Sequence, residues 1–200
     1  MTDGGQKWPR PAPESKVRTG PPRGCFYRLP PARPTRMANR SFFPMSLDAP
    51  PPLSVSGAEL RFGLVAARFN PVLVDALAAR AAATLAAAGV PPALIEVVRV
   101  PGSHEIPWAA QRLAASGRFD AVIALGVLIA GDTNHHEMVG DAVAHALMRV
   151  ALDTRVPVIN GVIVVNNRAQ AEARVTGAHD RGAEFAAAAL EMAALHRSLS

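Results

Sequence analysis

From Arg61 onward, short β-rich apolar runs alternate with long Ala-rich stretches of helical period. Residues 62–67 predict a buried strand, and residues 72–88 a helix. That helix carries Leu73, Leu77 and Leu85 on one stripe, with Gly89 placed to stop it. Residues 95–100 predict a second strand and 103–115 a second helix, in which Pro107 occupies the first turn, where a missing N–H costs little. The third pair is the apolar run 121–129 and a helix over 135–153. Asn134 followed three residues later by Glu137 resembles a capping box at its start. Residues 157–165 predict a fourth strand, and 169–195 one or two closing helices interrupted near Gly177. Nearly continuous apolar strands separated by helices predict a parallel sheet covered on both faces, an α/β fold of three layers.

Ligands of such sheets bind beyond the carboxyl ends of the strands. That rule nominates four loops, at residues 68–70, 101–105, 126–136 and 164–167, and the polar oddities of the domain fall in them. Gly131-Asp132-Thr133-Asn134-His135-His136-Glu137 is the richest, because a strand there delivers a turn and then a helix start. Helix N-termini bind anions, and imidazole moves protons near neutral pH. Phosphate binding with proton transfer is therefore the first chemistry to expect. His135 and His136 are adjacent, so on a helix they point about 100° apart, which predicts that only one faces a site. Asp132 and Thr133 either hold phosphate or cap the helix, and the Asp132 carboxylate must then point away from the anion. Phe69, between strand and helix, is either core or a stacking surface for a planar ring. Glu105 in a first turn is either a dipole partner or an acceptor for sugar hydroxyls. Arg174 precedes the Gly177 break and reads equally as a surface charge. The chain has no G-x-G-x-x-G, no G-x-x-x-x-G-K-[ST] and no G-x-S-x-G, so dinucleotide, P-loop and nucleophile-elbow chemistries lose their usual support. Nor is there the i, i+4 histidine pair of H-E-x-x-H, and no metal site is expected.

Composition divides the chain. Residues 1–52 hold 12 of the 18 prolines, with nine Lys/Arg against three acids, a net +6. Residues 53–200 carry 12 Arg against 13 acids, a net −1. The high isoelectric point thus belongs to the first segment, and basic residues that line no folded face argue against nucleic-acid binding. We read 1–52 as a disordered Pro/Arg-rich tail, or as sequence upstream of a true translation start at Met37 or Met45, and 53–200 as the working domain. Cys25 is the sole cysteine, which excludes internal disulfides and suits a reducing compartment. No run approaches about 18 uninterrupted apolar residues, so the expectation is a cytoplasmic protein without membrane contact.

Four motifs then come in order: Arg68-Phe69-Asn70, Val100-Pro101-Gly102-Ser103-His104-Glu105-Ile106-Pro107, Gly126 through His135, and Val156-Pro157-Val158-Ile159-Asn160-Gly161. Their spacing resembles the 6,7-dimethyl-8-ribityllumazine synthases of riboflavin biosynthesis, from about Arg61 to the C-terminus. The resemblance implies a flavodoxin-like fold with a central four-stranded parallel sheet, extended in some members by an N-terminal strand shared with a neighbouring subunit. It implies pentamers with sites between subunits. It also implies condensation of 5-amino-6-(D-ribitylamino)uracil with 3,4-dihydroxy-2-butanone 4-phosphate, without metal or cofactor. Carried over by position, Phe69 would stack on the pyrimidine, Ser103, His104 and Glu105 would line the ribityl pocket, and Val127, Leu128 and Ile129 would read the ring edge through their backbone. Asp132 and Thr133 match the phosphate loop, Arg174 the phosphate-clamping arginine and His135 the proton-transfer histidine. Asn160 falls where a neighbouring subunit often presents Phe.

The chain also departs from the pattern. Ala130 replaces a common arginine, His104 an aromatic residue, and His136 the usual Phe or Tyr. The segment after Arg174 is about one residue shorter than the kink associated with shell-forming members, which favours pentamers or pentamer pairs. These departures motivate a reading from a different class, a non-catalytic flavin- or lumazine-binding or shell-scaffold member.

Overall fold

Two apolar layers, one on each side of a parallel sheet, organise the computed structural model, which describes residues 55–177 and 179–199. The strands are β1 (Phe62–Ala67), β2 (Ile95–Val100), β3 (Ala121–Ile129) and β4 (Val158–Val165), in the order β2-β1-β3-β4 and all parallel. The helices are α1 (Pro71–Ala87), α2 (Ile106–Ala114), α3 (His135–Thr154), α4 (Arg168–Val175) and α5 (Arg181–Leu199). All described residues fall within one compact unit, Ala49–Ser200. The expected tail, the two start positions and any shared N-terminal strand lie outside the described residues.

The period-two alternation of side chains assigns the layers. Phe62, Leu64 and Ala66 of β1, with Ile123, Leu125 and Val127 of β3, join buried residues of α1, α4 and α5. Val65 and Ala67, with Val122 and Ala124, join those of α2 and α3. The two central strands are therefore apolar on both faces, the condition for a buried parallel sheet. Edge strand β2 alternates instead, and its charges are paired across to neighbours as Arg99–Asp75 and Glu96–Arg118.

Helix ends follow local chemistry. Gly89, at φ 91°, ends α1 as expected: its N–H donates to Ala86 O and that of Val90 to Leu85 O. This is the doubled bonding of a left-handed cap, sealed by the buried Val90 side chain. The expected single helix over 103–115 resolves into a 3₁₀ turn, Ser103–Glu105, followed by α2. The closing stretch is two helices, α4 and α5, with Gly177 in the break. A Cβ at Gly177 would lie 2.8 Å from Ala173 Cα. Asn167 starts α4 by accepting from the N–H of Gln170, and Gln170 Oε1 accepts in turn from the N–H of Asn166.

The capping box expected at Asn134 and Glu137 does not form. Asn134 sits at φ −77°, ψ 16°, close to helical geometry, and its side chain makes no cap hydrogen bond. A side-chain cap needs an extended residue whose oxygen reaches back under the first turn. The start of α3 therefore presents first-turn N–H groups that no side chain caps.

Candidate active site

A cavity of about 480 Å³ opens at the carboxyl end of the sheet, a volume suited to small-molecule ligands. Its walls come from the loop after β1 (Phe69, Asn70), the 3₁₀ turn with Gly102, the end of β3 (Val127, Leu128, Ile129), and the turn into α3. From that last segment Gly131, Thr133, His135, His136 and Val139 line it.

Register explains why the end of β3 is available. β1 pairs with β3 only as far as Ala66 opposite Leu125, whereas β4 follows β3 to its last residue. Beyond Leu125, β3 therefore overhangs its neighbour, and the backbone of Val127 and Ile129 turns toward the gap. One carbonyl there is taken: Asn70 Nδ2 donates to Val127 O at 2.9 Å. Asn70 itself is left-handed (φ 54°, ψ 53°), a conformation Asn tolerates better than most residues. Its twist carries the chain from β1 into α1 and leaves the Phe69 ring at the mouth, 71% exposed. Phe69 is thus no core residue. Gly126 makes room beneath the gap, since a Cβ there would fall 2.6 Å from Ser103 Oγ.

Glu105 has a structural duty: its Oε2 accepts from the N–H of Gly102 at 2.8 Å, fixing the turn that presents Ser103 and His104. Its carboxylate has further acceptor capacity toward the cavity it lines. Ser103 is 4% exposed, and its Oγ finds no protein partner.

Of the residues nominated from sequence, the cavity gathers Phe69, Ser103, His104, Glu105, Val127, Leu128, Ile129, Thr133 and His135. Asp132 is exposed in the same turn but lines no part of it. Asn160 and Arg174 also lie outside. Asn160 pairs opposite Ala124, about 16 Å of strand before the end of β4, and its Oδ1 accepts from the N–H of Val162. Arg174 donates from Nη1 to Gln170 O at 3.0 Å on its own helix. The expectation that only one of the adjacent histidines could face the site fails. Both line the cavity, because the cavity wraps the end of α3 and does not lie along one of its faces: His135 is on the exposed rim, His136 on the buried stripe with Val139 and Val143. Asn70 was missed as a site residue; an Asn-Pro pair between a buried strand and a helix was its available signal. Among the described residues, no three His, Cys, Asp or Glu gather to hold a metal ion, and no helix is long and apolar enough to cross a membrane.

Residues 59–197 match the family model described as 6,7-dimethyl-8-ribityllumazine synthase. The protein of that name from Xanthomonas oryzae pv. oryzae (strain PXO99A) is 50% identical over 133 residues, which cover 66% of this chain and 86% of the relative. The one from Stenotrophomonas maltophilia (strain R551-3) is 48% identical over 140 residues, or 70% of this chain and 90% of the relative. The family match covers every segment that lines the cavity, and this chain belongs to the 6,7-dimethyl-8-ribityllumazine synthase family.

Proposed function

We propose that the cavity at the overhanging end of β3 condenses 5-amino-6-(D-ribitylamino)uracil with 3,4-dihydroxy-2-butanone 4-phosphate, giving 6,7-dimethyl-8-ribityllumazine, phosphate and water. The observation that carries the reading is the convergence, in a member of this family, of an exposed aromatic ring, an unpaired strand edge and an uncapped helix N-terminus bearing a histidine.

Each wall has a task. Phe69 supplies a flat apolar face for the pyrimidine ring, and the gap-facing backbone of Val127 and Ile129 supplies hydrogen-bonding groups for its polar edge, while the backbone of Leu128 is turned toward β4. Ser103, His104 and Glu105 meet the ribityl chain. The phosphate lies at the start of α3, held by first-turn N–H groups and the Thr133 hydroxyl. The Asp132 carboxylate stays out of the cavity and leaves that anion unopposed.

The amine attacks the ketone and water leaves to form an imine. Phosphate is then eliminated, and a second condensation closes the ring with loss of another water. Holding the two reactants together makes the first C–N bond formation effectively unimolecular, so proximity carries much of the rate, and each later bond change needs only an accompanying proton transfer. His135, beside Thr133 on the rim, accepts the proton lost from carbon and delivers it to the departing phosphate oxygen.

Asn160 and Arg174 would act on a neighbouring subunit's cavity, Arg174 clamping the phosphate through its planar guanidinium. Their position outside this chain's own cavity supports that reading. So do three large apolar side chains exposed on the outer face of α3, Met138, Met148 and Leu152, set among the polar Asp141, His145 and Arg149. Pentamers or pentamer pairs are the assembly proposed, in the cytoplasm. Residues 1–52 are proposed to have no catalytic role, so a chain starting at Met45 keeps full turnover and assembly. Nothing in the comparisons supports the non-catalytic alternative.

Turnover by purified protein, followed as lumazine absorbance above the uncatalysed condensation, tests the proposal. Acceleration saturable in both substrates is expected, with His135→Ala lowering turnover about 100-fold or more. No acceleration by folded protein would overturn it.

A further inference from the structure

Among the described residues, only three buried side-chain polar atoms lack a hydrogen-bond partner: Ser103 Oγ and both ring nitrogens of His136. All three belong to residues that line the cavity described above. The His136 side chain is 10% exposed and sits on the inner stripe of α3 beside Val139. The nearest carboxylate oxygen, Glu137 Oε1, is 4.0 Å from Nε2, beyond hydrogen-bonding range, and its own side chain is mostly exposed. A buried imidazole with neither nitrogen satisfied is costly to keep, where Phe would fill the same space at no polar cost.

We infer that His136 is a substrate-specificity residue, whose ring hydrogen-bonds a hydroxyl of the polyol chain of the ligand. The inference rests on the reaction proposed above. A neutral imidazole offers one donor and one acceptor, and a hydroxyl does the same, so the two are matched without a change of charge. Ser103 Oγ, on the turn facing α3, provides a second such group. An anion would use donors alone, and donors for it are supplied at the exposed rim by Thr133 and the helix start. The buried, unpartnered atoms therefore suit the neutral, hydroxyl-rich part of the ribitylamino substrate and not the phosphate. His136 touches substrate in this assignment, while proton transfer stays with His135.

Fluorescence titration with two unreactive ligands tests the assignment: 6,7-dimethyl-8-ribityllumazine, and 6,7,8-trimethyllumazine, which has the ring but no polyol. His136→Phe should bind the ribityl compound about five- to tenfold more weakly and the trimethyl compound as tightly as the unaltered protein does, the loss of one neutral hydrogen bond. His136→Gln, which keeps a donor and an acceptor, should recover part of the loss. Ligand-free His136→Phe should melt no lower than the unaltered protein, because two unsatisfied nitrogens have been removed. Nitrogen-15 shifts of the His136 ring should move on adding the ribityl compound and not the trimethyl one. Equal weakening of both ligands, unchanged binding of the ribityl compound, or a lower melting temperature would each overturn the assignment. Failure of the unaltered protein to bind the ribityl compound at all would instead sink the proposed reaction.

Discussion

Asn70 is the residue on which the geometry of the cavity turns, and its contribution can be separated into two parts. Its Nδ2–H bond to Val127 O ties the loop after β1 to the overhanging end of β3. Its left-handed backbone aims Phe69 at the mouth. Replacing it with Ala removes the bond, worth about 1 kcal/mol, and leaves the half-buried Val127 carbonyl without that donor, about 1 kcal/mol more. Ala also pays for φ 54°, about 1 kcal/mol over Asn or Gly. The total is about 2–3 kcal/mol. Asn70→Gly loses the bond but tolerates the backbone, so its cost is about 1–2 kcal/mol, part of it from the freer unfolded chain. Urea unfolding at one fixed protomer concentration reads both values, since an assembled protein's stability depends on concentration. Ligand affinity should fall in both variants, because the Phe69 ring and the β3 edge lose their common tether. A glycine variant as stable as the unaltered protein, with alanine no worse than glycine, would refute the reasoning on both counts.

Gly126→Ala places a methyl 2.6 Å from Ser103 Oγ and 3.2 Å from Ile106 Cδ1, so it should cost about 1–3 kcal/mol in denaturation and weaken ligand binding together. His135→Ala and Arg174→Ala, each impaired alone, should regain activity when unfolded together and reassembled. A cavity with both residues intact arises at about a quarter of the sites of a random mixture across a head-to-tail interface, and no recovery would place Arg174 on its own chain's site or off it altogether. Asp120 accepts from the Arg197 guanidinium at 2.7 Å and holds it above its ordinary range, the hydrogen bond being the larger cause. A raised folded-state guanidinium value means that, wherever Asp120 is ionised, the pair stabilises below the guanidinium range and is lost as pH rises through it. Asp120→Asn should therefore cost about 1 kcal/mol or less, as partly exposed pairs do, with no change between neutral and moderately alkaline pH in thermal melts.

The fold was legible wherever one physical signal dominated. β1 and β3 are apolar on both faces, and their ends were readable to the residue. Gly89 stops α1 because a left-handed cap there favours glycine. The misreadings are places where a residue pattern was compatible with two geometries. Asn134 and Glu137 have the spacing of a capping box, yet the backbone at Asn134 is nearly helical, so the side chain cannot reach back. His136 was discounted because a helical wheel separates it from His135. A wheel describes the flank of a helix and not a cavity folded around its end. The role of Asn70 depends on Val127, 57 positions away, a contact that local pattern does not encode.

The overhang of β3 has a bearing on how such a site can diverge. Where a ligand is read by main-chain groups of a strand, the reading survives substitution of the side chains that strand bears, provided they stay apolar and the register holds. Drift along 127–129 is then close to neutral, and selection for a changed ligand must work through the surrounding walls. In this chain those walls include His104 and His136. Conserved chemistry and altered preference can thus evolve almost independently, one lodged in the peptide backbone and the other in a few replaceable side groups.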